Sequence, residues 1–178
     1  MTPWSSTGRL AGLTLLELLL TVAVGAVLLT LGVPGFRHLI LEARMTAAVN
    51  TMVHDLHLAR QVANLRGETV TLCPAATTGG CPKSGAWRDG WAVIAPALAG
   101  TPNRFQLLAV RDRPTGVEVH SNRRAYAFRP ATRRDTNGTI GFCDSRGPAA
   151  VRAVVVSPTG RPRLASSAEA RARIKCYS

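Results

Sequence analysis

The sequence predicts an α+β fold, with one long N-terminal helix packed on antiparallel β-sheet, and three observations predict it. Residues 13–33 form an apolar run that carries a single charge. An amphipathic pattern continues to about Arg66, with apolar residues at spacings of three and four. Short segments rich in β-branched and aromatic residues follow, each bounded by Gly, Pro or Asn. A long helix followed by a series of strands is typical of the α+β class.

The apolar run of residues 13–33 is long enough to cross a membrane. At about 1.5 Å per residue, its 21 residues span a hydrocarbon core of roughly 30 Å. A cleavable secretory signal is shorter and ends in a small-x-small site, whereas the one such triplet here, 23–25, lies inside the run. Arg9 precedes the run and favours a cytoplasmic N-terminus. We therefore expect residues 13–34 to span the membrane and the C-terminal bulk to lie outside the cytoplasm.

Residues 35–67 are predicted to extend this helix as an amphipathic segment. Pro34 lacks a backbone donor and predicts a kink, and Gly67 predicts the C-terminal cap. A helix with this periodicity buries one face and exposes the other. The predicted buried face consists of Met45, Val49, Met52, Leu56, Ala59 and Ala63, and the polar face of Asn50, His54, His57 and Gln61.

The remaining residues, 68–178, are predicted to form a β-rich globular domain outside the cytoplasm. Seven segments have the length and composition of strands. Trp87 and Trp91 are interpreted as apolar anchors that close one end of this domain, rather than as a ligand-stacking site. The predicted strands are Thr69–Cys73, Trp91–Ala95, Phe105–Val110, Val117–His120, Ala125–Phe128, Thr139–Phe142 and Val151–Ser157.

The four cysteines all lie in this domain, where an oxidising environment is expected. An even number favours two disulfides, and four cysteines allow three pairings. We prefer Cys73–Cys81, which closes a Gly-rich loop, and Cys143–Cys176, which ties down the C-terminus. A zinc site is the alternative, but the spacing is irregular and contains no Cys-x-x-Cys pair.

No motif for catalysis, a metal or a cofactor is present. The sequence contains no Gly-x-Ser-x-Gly elbow, no phosphate-binding Gly-x-x-x-x-Gly-Lys loop and no His-Glu-x-x-His helix. His54 and His57 are three residues apart and can in principle bind a metal, but without a nearby third ligand we interpret them as surface residues. We therefore predict that the protein is not an enzyme and has no cofactor.

The positive charge is concentrated in the second half of the chain. Residues 1–100 contain seven basic and five acidic residues, whereas residues 101–178 contain fifteen basic and five acidic ones. Fourteen of those fifteen are arginine, which suits bidentate contact with phosphate. A solvated basic surface without a partner is the alternative, because net charge alone does not identify a ligand.

The N-terminal order Gly12, Leu13, Thr14, Leu15, Leu16, Glu17 resembles the class III signal of type IV pilins and pseudopilins. The resemblance implies that prepilin peptidase cuts after Gly12, leaving residues 1–12 as the leader, and that Leu13 becomes the methylated N-terminus. It also implies that Glu17 pairs with the N-terminal amine of a neighbouring subunit during filament assembly. Without a partner, a carboxylate in a membrane span is unfavourable. Pro34 matches the helix kink of the family.

Two further segments resemble the FimT/GspH branch of the pilin-like proteins. The strand Val70-Thr71-Leu72-Cys73 matches its V-x-L-C pattern, and 87–91 matches its W-x-x-G-W pattern. Together with the N-terminus, the resemblance covers about residues 8–95. It implies a pilin-like fold and membership of a filament.

The stretch Ser157–Arg163 is the most informative one near the C-terminus. Ser157, Pro158 and Gly160 predict a tight turn after the last predicted strand. Gly160 lacks a side chain, so the backbone can approach a partner closely. In an extended segment Arg161 and Arg163 project to the same side, about 6–7 Å apart, close to the spacing of adjacent phosphates.

Gly160-Arg161-Pro162-Arg163 resembles the Gly-Arg-x-Arg motif of the FimT-type minor pilins, which bind DNA during natural transformation. The resemblance implies that Arg161 and Arg163 contact DNA, with Gly160 permitting the loop. Arg171, Arg173 and Lys175 follow and are predicted to reach the same face.

The sequence therefore favours a minor type IV pilin that captures extracellular double-stranded DNA independently of base sequence. Its other partners would be major and minor pilin subunits, prepilin peptidase and the inner membrane. We expect it in the inner membrane before assembly, with its C-terminal domain in the periplasm, and in the surface pilus fibre afterwards. Two alternatives remain open: a structural or priming minor pilin that binds no DNA, and a minor pseudopilin of type II secretion. An anionic surface or partner protein also explains the arginine excess.

Overall fold

The computed structural model describes residues 12, 14–74, 80–82, 86–100, 104–130 and 134–176, with residues 31–34 described as backbone only. The chain divides into two compact units, Met1–Ile40 and Leu41–Ser178. Leu13 and residues 1–11 of the predicted leader lie outside the described residues.

The first helix, α1, comprises Leu15–Arg66. Thr14 precedes it, and the Thr14 hydroxyl accepts a hydrogen bond from the Glu17 amide at 3.3 Å, as a helix N-cap does. Its N-terminal part contains an 18-residue window with a mean hydropathy of 2.3, none of it buried within the chain. This helix is therefore long and apolar enough to cross a membrane.

The amphipathic part of α1 ends where the sequence predicts. Gly67 has a positive φ of 68° and donates its amide to Ala63 O at 3.0 Å, which closes the last turn. Every residue of the predicted apolar face is at most 1% exposed, whereas the four predicted polar-face residues are exposed. Both predictions are confirmed.

Eight strands form two four-stranded antiparallel sheets. The first has the order β3-β2-β1-β5 and the second the order β4-β6-β7-β8. A second helix, α2, comprises Ser167–Arg173 and follows the last strand. The strands are β1 Val70–Pro74, β2 Gly90–Pro96, β3 Phe105–Asp112, β4 Glu118–Ser121, β5 Tyr126–Phe128, β6 Gly138–Cys143, β7 Arg152–Val156 and β8 Pro162–Leu164.

The core lies between the apolar face of α1 and the two sheets. Leu72 of β1, Phe128 of β5 and Phe142 of β6 are at most 1% exposed and belong to the same apolar cluster as Met52. Burying side chains of this size stabilises a domain by roughly 1.5–3 kcal/mol each. The predicted α+β class, with one long helix on antiparallel sheet, is confirmed.

All seven predicted strands are present, and each end lies within two residues of its predicted position. Strand β8 and helix α2 were not predicted. Strand β8 is short and begins at Pro162, so its composition resembles a loop. Helix α2 is capped by Ser166, whose hydroxyl accepts from the Glu169 amide at 3.3 Å. That Ser-x-x-Glu spacing is a recognisable helix start.

Both preferred disulfides are present. Cys73 pairs with Cys81, and Cys143 pairs with Cys176, with Cα–Cα distances of 5.9 and 5.7 Å. The second bridge joins β6 to the residues just after α2. It therefore fixes the C-terminal segment on the second sheet.

The two predicted tryptophan anchors are confirmed as structural residues. Trp87 is 6% exposed and donates its indole N–H to Arg123 O at 2.8 Å. Trp91 is 2% exposed and donates to Asp55 Oδ2 at 2.8 Å. Buried indoles whose N–H has a protein partner are typical of core residues.

Candidate functional site

The C-terminal basic motif lies on the hairpin formed by the antiparallel strands β7 and β8. Gly160 donates its amide to Ser157 O at 2.9 Å, and Ser157 donates its amide to Arg161 O at 3.0 Å. The Ser157 hydroxyl also accepts from the Arg161 amide at 3.1 Å. The tight turn predicted for these residues is confirmed.

Gly160 shapes this turn and is itself buried. Its φ is +71°, a conformation that L-residues with side chains rarely adopt. A Cβ placed there would clash with the Asp135 carboxylate and lie 3.1 Å from Phe128 Cδ1. The sequence suggested that the missing side chain leaves space for a partner. The Asp135 and Phe128 side chains fill that space instead. Gly160 therefore permits the loop.

Arg161 and Arg163 are both exposed, but their surroundings differ. The side chain of Arg161 has no hydrogen bond or ion pair among the described residues. Arg163 donates from both terminal nitrogens to the two carboxylate oxygens of Glu169, each at 2.8 Å. Phosphate must therefore displace or share a carboxylate at Arg163, whereas Arg161 is free to bind it.

Glu169 is a residue of this site that the sequence did not indicate. Its Oε1 also lies 3.1 Å from Arg173 Nε, so one carboxylate joins Arg163 on β8 to Arg173 on α2. The hydrogen bond from Arg163 is the main cause that lowers the pKa of Glu169 below its ordinary value. The carboxylate is therefore charged at neutral pH. The Ser166-x-x-Glu169 capping pattern was the local signal for this helix.

The other predicted basic residues, Arg171 and Lys175, are exposed on and just after α2. Neither has an ion pair within the part of the chain that the structure describes. Helix α2 is held on the second sheet by buried Ala170 and by Ile174, whose side chain occupies the space beside Gly141. The structure joins Arg163 and Arg173 through Glu169 and places Arg171 on α2 and Lys175 just after it.

Several other arginines are structural. Asp55 of α1 is 0% exposed and accepts from Arg111 Nε and from a second Arg111 nitrogen, each at 3.0 Å. The same carboxylate accepts the indole N–H of Trp91. Asp55 therefore ties α1 to β2 and β3 through a buried, fully hydrogen-bonded network.

A second structural cluster surrounds Glu42 of α1. Its carboxylate pairs with Arg146 at 2.8 Å and with Arg152, and Arg146 also binds Asp144 at 2.6 Å. The hydrogen bond from Arg146 is the largest cause that lowers the pKa of Glu42. Burial raises the pKa of Asp144, but the hydrogen bonds from Arg146 outweigh it, so the pKa is lowered. These arginines are already neutralised by carboxylates.

The remaining predicted site residues are the histidines of α1 and the N-terminal residues Gly12 and Glu17. Among the described residues no group of three His, Cys, Asp or Glu side chains is placed to hold a metal ion. His54 Nδ1 lies 3.2 Å from Asp55 Oδ1, and His57 is exposed. Gly12 and Glu17 are exposed in the single chain. Their roles in cleavage and assembly stay predictions.

A long N-terminal helix followed by two antiparallel sheets defines a pilin-like protein. Two crystal structures of the type IV minor pilin FimU of Pseudomonas aeruginosa have this fold. One superimposes with a TM-score of 0.55 at 16% identity and covers 72% of this chain and 93% of FimU. The other gives 0.52 at 18% identity, with 70% and 95% covered. At such identities the likeness establishes the fold alone.

The family is established by sequence. Residues 48–160 match the family model described as "Type II transport protein GspH". The chain therefore belongs to the GspH family of pilin-like proteins, which are typically non-enzymatic structural proteins that interact with other pilin subunits. The apolar start of α1 fits a membrane-anchored pilin. No curated protein matches the chain.

Proposed function

We propose that the protein is a FimT-type minor type IV pilin that binds extracellular double-stranded DNA for uptake in natural transformation. The observation that carries the proposal is the set of exposed cations on the β7–β8 hairpin and on or just after α2. Of these, Arg161, Arg171 and Lys175 have no ion pair among the described residues. Unpaired surface arginines are available for phosphate, whereas those of the Glu42 and Asp55 clusters are not.

The binding mechanism is electrostatic and independent of base sequence. Each cation neutralises a phosphate and releases condensed counterions, so affinity falls steeply as the salt concentration rises. Arg161 and Arg163 are two residues apart in an extended segment, about 6–7 Å, which matches adjacent phosphates on one strand. No exposed aromatic residue alternates with these arginines in the described part of the hairpin and α2, so base stacking on single strands is not favoured.

Filament assembly places this surface outside the cell. Prepilin peptidase removes residues 1–12, and Glu17 then pairs with the methylated amine of Leu13 in a neighbouring subunit. The mature protein passes from the inner membrane, with the globular domain of residues 68–178 in the periplasm, into the pilus fibre. Several weak sites on one fibre bind a long duplex together more tightly than one site does.

A second candidate function is that of a minor pseudopilin in type II secretion. It is favoured by the description of the family model that residues 48–160 match. A structural or priming minor pilin without DNA binding is the related alternative. Neither role requires the basic hairpin, so DNA binding separates both from the proposal.

The test is binding of a linear DNA duplex by the full chain in a neutral detergent, measured by fluorescence anisotropy at low salt. We expect the wild type to bind and Arg161→Ala/Arg163→Ala to bind at least about tenfold more weakly. The matched control is Arg88→Ala/Arg104→Ala, which removes the same charge from exposed positions in another part of the fold. Equal binding by the two double variants, or no binding by the wild type, would contradict the proposal.

A further inference from the structure

A second chain segment, just before β6, is hydrogen-bonded to the Gly160 turn. The Asp135 amide donates to Pro158 O at 2.7 Å. Asp135 Oδ1 accepts from the Arg129 amide at 2.9 Å, which fixes the orientation of the carboxylate. The other carboxylate oxygen, Oδ2, lies against Gly160, in the space where a Cβ would be. Asp135 therefore connects the end of β5 to the turn of the hairpin.

This connection places a basic residue from outside the C-terminal motif beside the hairpin. Arg134 precedes Asp135 and is exposed, with no hydrogen bond or ion pair among the described residues. Arg134 and Arg161 are each one residue, about 3.8 Å along the chain, from the Asp135–Gly160 contact. Arg134 and Arg161 are therefore exposed residues on two backbone segments that contact each other.

We propose that Arg134 is a further phosphate-binding residue and that Asp135 is the positioning residue that holds it on the hairpin. This inference rests on the proposed function, because it extends the same DNA-binding surface. The surface then consists of two chain segments that are more than twenty residues apart in sequence. A polyanion with phosphates along its length can bind both segments at once.

The charge of Asp135 provides a test of its role. A carboxylate close to bound phosphate opposes binding, so removal of its charge alone should raise DNA affinity. Removal of the acceptor for the Arg129 amide should instead loosen the segment that carries Arg134, although the backbone bond from the Asp135 amide to Pro158 O remains. If positioning is the main effect, Asp135→Ala lowers affinity although it removes a negative charge. Asp135→Asn keeps an oxygen acceptor and therefore keeps or raises affinity.

The first experiment compares Arg134→Gln with Arg104→Gln in the full chain in neutral detergent. Arg104 is an exposed arginine next to β3, across the four-stranded sheet from β5. We expect Arg134→Gln to weaken duplex binding by about threefold to tenfold and to reduce the salt slope by about one. Arg104→Gln should change neither. Equal affinities and slopes for the two variants would overturn the inference.

The second experiment measures the Asp135 variants with the same duplex. A lower affinity for Asp135→Ala together with an unchanged or higher affinity for Asp135→Asn supports positioning. A rise in both variants overturns it. If Asp135→Ala does not fold, the comparison of Arg134→Gln with Arg104→Gln still decides whether Arg134 binds phosphate. Suppose that the wild type binds DNA and Arg161→Ala/Arg163→Ala does not. Wild-type affinity in Arg134→Gln then contradicts this inference alone. A wild type that binds no DNA contradicts both this inference and the proposed function.

Discussion

The arginines of the Asp55 and Glu42 clusters have different surroundings from those of the hairpin surface, which consists of Arg134, Arg161, Arg163, Arg171, Arg173 and Lys175. Arg111 and Arg146 each donate to carboxylates, and the Asp55 carboxylate that binds Arg111 is fully buried. Arg161 and Arg134 are exposed and have no partner among the described residues. Although fifteen basic residues occur in 101–178, only part of that charge is available to a ligand. Under the proposed function, the pairing of each arginine, rather than net charge, decides which arginines can bind phosphate.

The two regions should therefore respond differently to substitution. In the Asp55 and Glu42 clusters, loss of a carboxylate leaves a guanidinium or an indole N–H without that partner, which lowers the free energy of unfolding. On the hairpin surface, loss of the Glu169 carboxylate frees Arg163 and Arg173 for phosphate. Loss of an arginine-pairing carboxylate is therefore expected to reduce stability in one region and to raise DNA affinity in the other.

The largest effect is expected at Asp55. Asp55→Ala removes the shared acceptor of Arg111 and Trp91, and we expect it to lower the free energy of unfolding by about 3–5 kcal/mol. Thermal or denaturant unfolding of the full chain in detergent measures this. Asp89→Ala is the control, because that carboxylate is exposed and its ion pair with Arg88 is long, at 4.0 Å. Similar unfolding midpoints for the two variants would show that the buried network does not stabilise the fold.

A smaller effect is expected at Gly160. Gly160→Ala forces a side chain into a positive φ and against Asp135, and we expect a loss of about 2 kcal/mol of stability together with weaker DNA binding. Gly147→Ala is a matched control, since Gly147 has φ +73° but no heavy atom within 4 Å of an added Cβ. If both alanine variants unfold at the same denaturant concentration, the Asp135 contact is unimportant and backbone strain alone accounts for the cost.

The smallest effect is expected at Glu169. Glu169→Gln removes the charge that pairs Arg163 and Arg173 while keeping a hydrogen-bond acceptor, so duplex affinity should rise by about threefold at low salt. The lowered pKa of this carboxyl means that the wild type keeps the pair at neutral pH and loses it only as the pH falls through that lowered value. Glu118→Gln, at an exposed acid on β4, is the control for net charge. A decrease in affinity for Glu169→Gln would mean that Glu169 orients Arg163 for DNA.

Local patterns in the sequence predicted most of the fold. The spacing of Met45, Met52 and Leu56 identified the buried face of α1, because a helix repeats its faces every 3.6 residues. The seven strands followed from composition, and the cysteine pairs from the loops that they close. Strand β8 was missed because it is short and begins with Pro162. Helix α2 was missed although Ser166 and Glu169 mark its start.

The candidate site was less predictable, since its geometry depends on residues that are distant in sequence. The Gly160–Arg163 motif located the hairpin, but nothing in the motif indicated that Glu169 would bind Arg163. The contact between Asp135 and Gly160 joins two loops whose adjacency follows from the packing of the two sheets. Local sequence patterns cannot distinguish a neutralised arginine such as Arg146 from a free one such as Arg161.

The central claim is that DNA binds to the exposed arginines of the hairpin surface, above all Arg161 and Arg163, and not to the total positive charge. The most direct test is the dependence of duplex affinity on salt for the full chain and for Arg161→Gln/Arg163→Gln. The account predicts a linear relation between log K and log salt concentration, with a slope reduced by about two in the double variant. An unchanged slope with unchanged affinity would contradict it, because the phosphate contacts would then lie elsewhere on the protein.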